Sequence, residues 1–141
     1  MLAVLLFILV TTLAASSLVV AHTTQVQRDK EEQLLFVGDQ YRRAIASYSS
    51  TVPPGGARAL PPSLDVLLRD PRFSTPVQHL RRLYPDPITG RTDWQLVMEN
   101  GAVVGIRSQS GRATLKKHGF ARGYESFDGK QLYSEWVFSV R

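Results

Sequence analysis

Between Met1 and Gln27 the chain carries no Asp, Glu, Lys or Arg, while all 17 basic and all 12 acidic residues lie from Arg28 onward. That division constrains the fold more than any motif does. The stretch Met1 to Ala21, MLAVLLFILVTTLAASSLVVA, is apolar except for Thr11, Thr12, Ser16 and Ser17, and no Gly or Pro interrupts it. At about 1.5 Å per residue, 21 helical residues reach roughly 30 Å, the thickness of a bilayer's hydrocarbon core. The hydroxyl groups can bond back to their own helix carbonyls. A membrane-spanning helix is therefore expected over 1–21. A cleaved signal peptide is the competing reading, with Val19 to Ala21 as a small-residue cleavage site. Against it, no Lys or Arg precedes the run, and the run is longer than a usual signal core. Arg28 and Lys30 on the following flank favour a cytoplasmic head by the positive-inside rule, but Asp29, Glu31 and Glu32 dilute that signal.

The next segment, 22–49, reads as the amphipathic continuation of the same helix. Its apolar residues Leu34, Val37, Tyr41, Ile45 and Tyr48 recur at spacings of three and four, and Arg28, Glu31, Glu32, Asp39, Arg42 and Arg43 lie mostly off that stripe. Gly38 is the one helix-weakening residue before Pro53, Pro54, Gly55 and Gly56 end the pattern. The remaining residues, 50–141, form an α+β head. Short helices are expected over Leu64 to Arg69 and Val77 to Leu83, and strands over Trp94 to Met98, Ala102 to Arg107 and Ser134 to Val140. Asn100-Gly101 joins the first two strands as a hairpin. Ser108 to Gln131 reads as a long loop with one helical turn at Thr114 to His118. A three-stranded antiparallel sheet needs a cover for one face, and the stripe ending at Tyr48 is the long apolar surface at hand. Leu34, Val37, Tyr41, Ile45, Tyr48, Trp94, Trp136 and Phe138 are thus the expected core between helix and sheet.

Composition excludes several chemistries. With no cysteine there is neither a disulfide nor a thiolate metal site. No nucleophile-elbow, phosphate-loop or His-x-x-x-His pattern occurs, so no catalytic residue, cofactor or metal is expected. His22, His79 and His118 read as surface residues. Asp86, Asp93, Glu125 and Asp128 have the oxygen chemistry calcium uses but not an EF-hand spacing, and read as solvated turn residues. The net charge of +5 is built largely from 13 scattered arginines. Between Arg107 and Tyr133, Arg112, Lys116, Lys117 and Arg122 stand near Phe120, Tyr124 and Phe127. This supports an alternative function, a membrane-tethered binding module whose basic, aromatic loop captures an anionic partner; nucleic acid is the less favoured partner, since small heads usually bury such rings.

The order of elements, an apolar helix running into an amphipathic one, a Pro/Gly loop, short helices and a terminal antiparallel sheet, resembles type IV pilins and type II secretion pseudopilins. Three blocks carry the resemblance: EEQLLFVGDQYRRAIASY (Glu31 to Tyr48), LRRLYPDPITGRTDWQLV (Leu80 to Val97) and GIRSQSGRATLKKHGF (Gly105 to Phe120). They are similar to proteins related to the major pseudopilin, over nearly the whole chain. The resemblance implies a pilin-like fold and a non-enzymatic filament subunit. It also implies a single-pass bacterial inner-membrane protein with its head in the periplasm, which overrides the charge-based orientation. The implied partners are other pilin or pseudopilin subunits and inner-membrane assembly components, in a homo- or hetero-oligomeric filament. Assembly would run through Leu2, Leu5, Leu6, Leu9, Leu13, Ala14 and Ala15, small residues allowing close helix approach. The family also has a basic leader ending in Gly and a glutamate soon after the cleavage point, whereas Ala3, Val4, Leu5 and Leu6 are all apolar. A start codon placed too late, a trimmed chain and a subunit that enters filaments differently all stay open.

Overall fold

In the computed structural model, which describes residues 1–12 and 20–141 and the backbone of the helix through 13–19, one helix, α1, runs from Leu2 to Ser50. Its 49 residues extend about 73 Å at the standard rise. The amphipathic half thus continues the apolar half in one helix. In the apolar half the hydroxyls of Thr11 and Thr12 bond to the carbonyls of Phe7, Ile8 and Leu9, so these side chains expose no unpaired donor. The end is set locally. Thr51 is extended and returns its N–H and its hydroxyl to the Ser47 carbonyl, and Pro53 disfavours helix for the residue before it.

The head is α+β, with a small antiparallel sheet of three strands in the order β1 (Gln95–Glu99), β2 (Ala102–Arg107) and β3 (Phe138–Ser139). Asn100 and Gly101 join β1 to β2 with φ of 50° and 78°, the double left-handed geometry of a two-residue hairpin loop. A bulge falls between Val97 and Met98. The central strand β2 buries Val103, Val104, Gly105 and Ile106 in succession, whereas β1 is largely exposed. A strand buried on both faces reads as an unbroken apolar run, and AVVGI is one.

Helix and sheet meet over the stripe of α1. Leu34, Val37, Tyr41, Ile45 and Tyr48 are all buried, together with Trp94, Trp136 and Phe138 from the head. Gly38 fixes how close they come. A Cβ built there would stand 2.3 Å from the Phe138 ring, so only glycine lets β3 lie this close to the helix. Gly105 plays the same part within the sheet, where a Cβ would lie 2.4 Å from the Phe138 carbonyl oxygen. Phe138 is therefore held between two glycines, one on each neighbouring element.

Four expectations are corrected, two because backbone donors find distant partners and two because the chain closes into short 3₁₀ turns. The segment 77–83 is not helical: the N–H groups of His79 and Leu80 both go to the Leu67 carbonyl, and Asp70 pairs with Val77 as a β-bridge. In place of a helix over 64–69 there is a single 3₁₀ turn, Asp65–Leu67. Thr114 to His118 forms no helical turn, since the N–H of Thr114 goes to the Gln131 carbonyl and those of Leu115 and Lys116 go to the Glu31 carboxylate. The last strand shrinks to two residues because Tyr133–Glu135 curls into a 3₁₀ turn, with Glu135 accepting the N–H groups of Gln131 and Leu132.

Replacing Gly38 with alanine would raise intrinsic helix propensity by about 1 kcal/mol. The Phe138 ring is fully buried against Tyr124 and Phe127, and overpacking in a core costs about 1–3 kcal/mol. Gly38→Ala is therefore expected to lower the denaturant midpoint of the chain in mild detergent; an unchanged or higher midpoint would show that β3 does not seat on Gly38.

Candidate functional site

The feature with most apolar surface on offer is the front of α1. Met1, Leu2, Val4, Leu5, Leu6, Phe7, Ile8, Leu9 and Val10 are all at least half exposed, Leu2 at 84% and Leu9 at 57%. Nothing in the head reaches them. Among the expected assembly residues, Leu2, Leu5, Leu6 and Leu9 are thus solvent-facing, while Leu13, Ala14 and Ala15 lie outside the described residues. Among the described residues no helix is long and apolar enough to cross a membrane; the span expected over 1–21 includes 13–19.

Three polar pins join the rear of α1 to the head. The lowest is Glu31, which is 3% exposed and lies on the stripe rather than off it as expected. Its carboxylate accepts the N–H of Leu115 at 2.5 Å and of Lys116 at 3.2 Å, and the hydroxyl of Tyr133 at 3.0 Å. Gln27, one turn below, donates to Tyr133 and to the Ala113 carbonyl. The loop that begins at Ser108 is thereby tied to the helix at two levels. Burial pushes the Tyr133 hydroxyl up to about 12, with Glu31 adding to the rise.

The middle pin is Asp39. It accepts from Arg42 and, at 2.5 Å, from the Tyr124 hydroxyl, and forms an ion pair with Arg43. Burial alone would raise this carboxyl, but Tyr124 and the two guanidiniums outweigh it and hold it below the usual range. Tyr124 moves the other way, to about 12, through burial and then its bond to Asp39.

The top pin centres on Asp70, whose side chain is fully buried. Arg72 bridges it with two nitrogens and donates a third contact, 2.7 Å, to the Tyr48 carbonyl in the last turn of α1. A cation there satisfies a helix-end carbonyl and opposes the negative end of the dipole. Its guanidinium also lies 3.7 Å over the Tyr48 ring. The Arg72 guanidinium holds the Asp70 carboxyl far below the ordinary carboxylate range. His79, expected on the surface, is instead 1% exposed at its side chain, with Nε2 3.1 Å from Asp70 and Nδ1 2.8 Å from the Ser47 hydroxyl.

Ser47, His79 and Asp70 thus stand in the order hydroxyl, imidazole, carboxylate. With Nε2–H donating to Asp70, Nδ1 accepts from Ser47, the proton arrangement a hydrolytic triad requires. Acyl transfer also needs donors where an oxyanion develops. Ser47 sits in the last turn of α1, where the exposed backbone groups are carbonyls, and Asp70 is already neutralised by Arg72. The arrangement fits a fastening role better than a nucleophilic one.

The other candidates fall as follows. His22 is exposed, and His118 is exposed with Asp128 3.6 Å away. Asp86 is no solvated turn residue: it is buried and accepts from the Ser108 hydroxyl and the Ile88 N–H. Among the described residues no group of three or more His, Asp or Glu is placed to hold a metal ion. Of the rings in the basic loop, Tyr124, Phe127 and Tyr133 are buried, with Phe127 stacked on Trp136 at 5.5 Å. Lys117 is turned inward to Thr114 and Gln131.

Glu31→Ala strips acceptors from two loop N–H groups and a buried hydroxyl, and is expected to cost about 1–3 kcal/mol in denaturant unfolding. Hydrogen exchange should speed at Leu115 and Lys116 while β2 stays protected. The pins also set the pH profile. Asp39 and Asp70 have depressed folded values, so their stabilisation is full above about pH 4 and lost as pH falls from there. Tyr41, Tyr124 and Tyr133 stand at about 12, so their stabilisation is full below about pH 10 and lost as pH rises toward 12. The denaturant midpoint against pH should show a plateau between these limits, and Tyr133→Phe should weaken the alkaline fall. No family model, no curated protein and no solved structure matches the chain.

Proposed function

We propose that the protein is a non-enzymatic, pilin-like subunit of a type II secretion or type IV pilus-like apparatus, held in a bacterial inner membrane by the front of α1 with its head in the periplasm. The observation that carries this reading is one helix with two opposite environments. The apolar stripe of its rear is sealed against the head, and its front holds nine large apolar side chains that are at least half exposed among the described residues. Burying one such side chain is worth roughly 1.5–3 kcal/mol, so full exposure of all nine to water would cost about 14–27 kcal/mol. An apolar phase or other apolar helices must therefore surround this half. Both are available to a filament subunit, since a helix that is apolar all round exchanges lipid for neighbouring helices at modest cost. The resemblance of the three sequence blocks to pseudopilins supports the choice of a filament over a simple anchor.

The chain has no native cysteine, so cysteines introduced at Leu5 and Leu9 report on neighbours directly. In cells containing the whole apparatus, oxidation is expected to trap ladders of oligomers. A cysteine at exposed Arg58 on the head should give far fewer. If the Leu5 and Leu9 variants stay monomeric under those conditions, the assembly reading is wrong and the front of α1 serves as an anchor only.

A further inference from the structure

A groove runs beside α1 where the helix passes the loop 115–124. Its lower part lies between Arg28 and Glu32 of the helix and Leu115 of the loop, and its upper part between Phe36 and Arg43 of the helix and Arg122 of the loop. Leu35 and Lys116 line both hollows, about 320 and 340 Å³, and so set them next to each other along α1. From Arg28 to Arg43 the helix rises about 22 Å. That is room for an extended polypeptide of roughly six residues.

The net free charge along this groove is positive. Of its carboxylates, Glu31 is spent on Leu115, Lys116 and Tyr133, and Asp39 on Arg42, Arg43 and Tyr124; Glu32, exposed on the lower wall, makes no hydrogen bond or ion pair among the described residues but is outnumbered by Arg28, Lys116, Arg43 and Arg122. The side chains of Arg28 and Arg122 make no hydrogen bond or ion pair among the described residues. Arg43 pairs with Asp39 through Nε and its side chain is 72% exposed, so its guanidinium stays open to a second anion. Between these cations the floor is apolar: Phe36 is 60% exposed and Leu115 39%.

Cations set around an apolar floor match acidic side chains set around an apolar one. A nucleic-acid strand fits less well, because it uses aromatic platforms repeated along its track. Here Phe120 and Tyr124 are engaged by Phe127, Trp136 and Phe138, which leaves Phe36 as the exposed ring. We propose that this groove binds an extended acidic segment of a partner polypeptide, with carboxylates at Arg43, Arg122 and Arg28 and an apolar side chain over Phe36 and Leu115. The site lies on α1 beyond the charge-free front and does not depend on how that front assembles.

The test uses the full chain in detergent micelles and a fluorescein-labelled peptide of roughly ten residues, Glu and Asp flanking a central Leu-Phe pair, read by anisotropy. Saturable binding is expected at micromolar peptide, weaker in added salt. It should fall about tenfold in Arg43→Glu/Arg122→Glu and about fivefold in Phe36→Ala, and be unchanged in Arg58→Glu, which lies off the groove. Arg122→Glu alone, at a side chain with no partner, should lose several-fold and guards against a folding defect in the double variant. No binding at millimolar peptide, or binding indifferent to Arg122→Glu, overturns the proposal. Tighter binding of a labelled oligothymidylate, lost in the same variants, overturns it in favour of nucleic acid.

Discussion

The head holds its shape because the Phe138 ring lies against a helix with no side chain in the way. That single close approach, over Gly38, decides how near β3 and its neighbour β2 come to α1 and therefore how fully the stripe from Leu34 to Tyr48 is covered. An ordinary helix would spend an alanine or leucine at this position and stand the sheet off by more than an ångström. Water-sized gaps in a core forfeit dispersion contacts on every lining atom, so a weakly helical residue is the better choice where the backbone must come close.

Once helix and sheet are in register, the polar groups between them have no access to water and must pair with each other. Glu31, Asp39 and Asp70 answer this at three levels along the helix, each collecting donors from a different part of the head. The lower two act on the loop that follows β2, and the upper one closes the end of α1 itself. Beyond the hairpin, the head's irregular segments bond to one another by scattered backbone pairs and are tied to the helix by these side chains. This arrangement also leaves arginines surplus to the pins, on the side of the helix where the loop ends, and these give the groove its sign.

The two halves of α1 face different problems. The rear half is amphipathic and solves its burial within the chain. The front half is apolar all round, and the head leaves its described side chains exposed. A continuous helix couples them, so whatever surrounds the front also sets the position and orientation of the head. This coupling is what makes a pilin-like subunit a sensible reading of the architecture, since a rigid connection transmits assembly of one end into alignment of the other.

Periodicity and composition by themselves determined the long helix, its apolar stripe, its end to within a residue (near Ser49, against Ser50 in the structure) and the Asn100-Gly101 hairpin, because each depends on local geometry: helical spacing, proline's fixed φ, two residues that tolerate positive φ. They could not place Glu31 or His79 inside, or cancel the short helix over 77–83. A buried glutamate and a surface one look alike until the loop, 84 and 85 residues away, supplies the N–H groups that make burial affordable. Glu31 does fall three residues before Leu34, in phase with the stripe, and that spacing was the one legible sign. Tertiary structure alone decided where the backbone donors of 77–83 and 114–118 went, since a helix of one or two turns gains little from its own hydrogen bonds and yields to any distant acceptor held in place by the core.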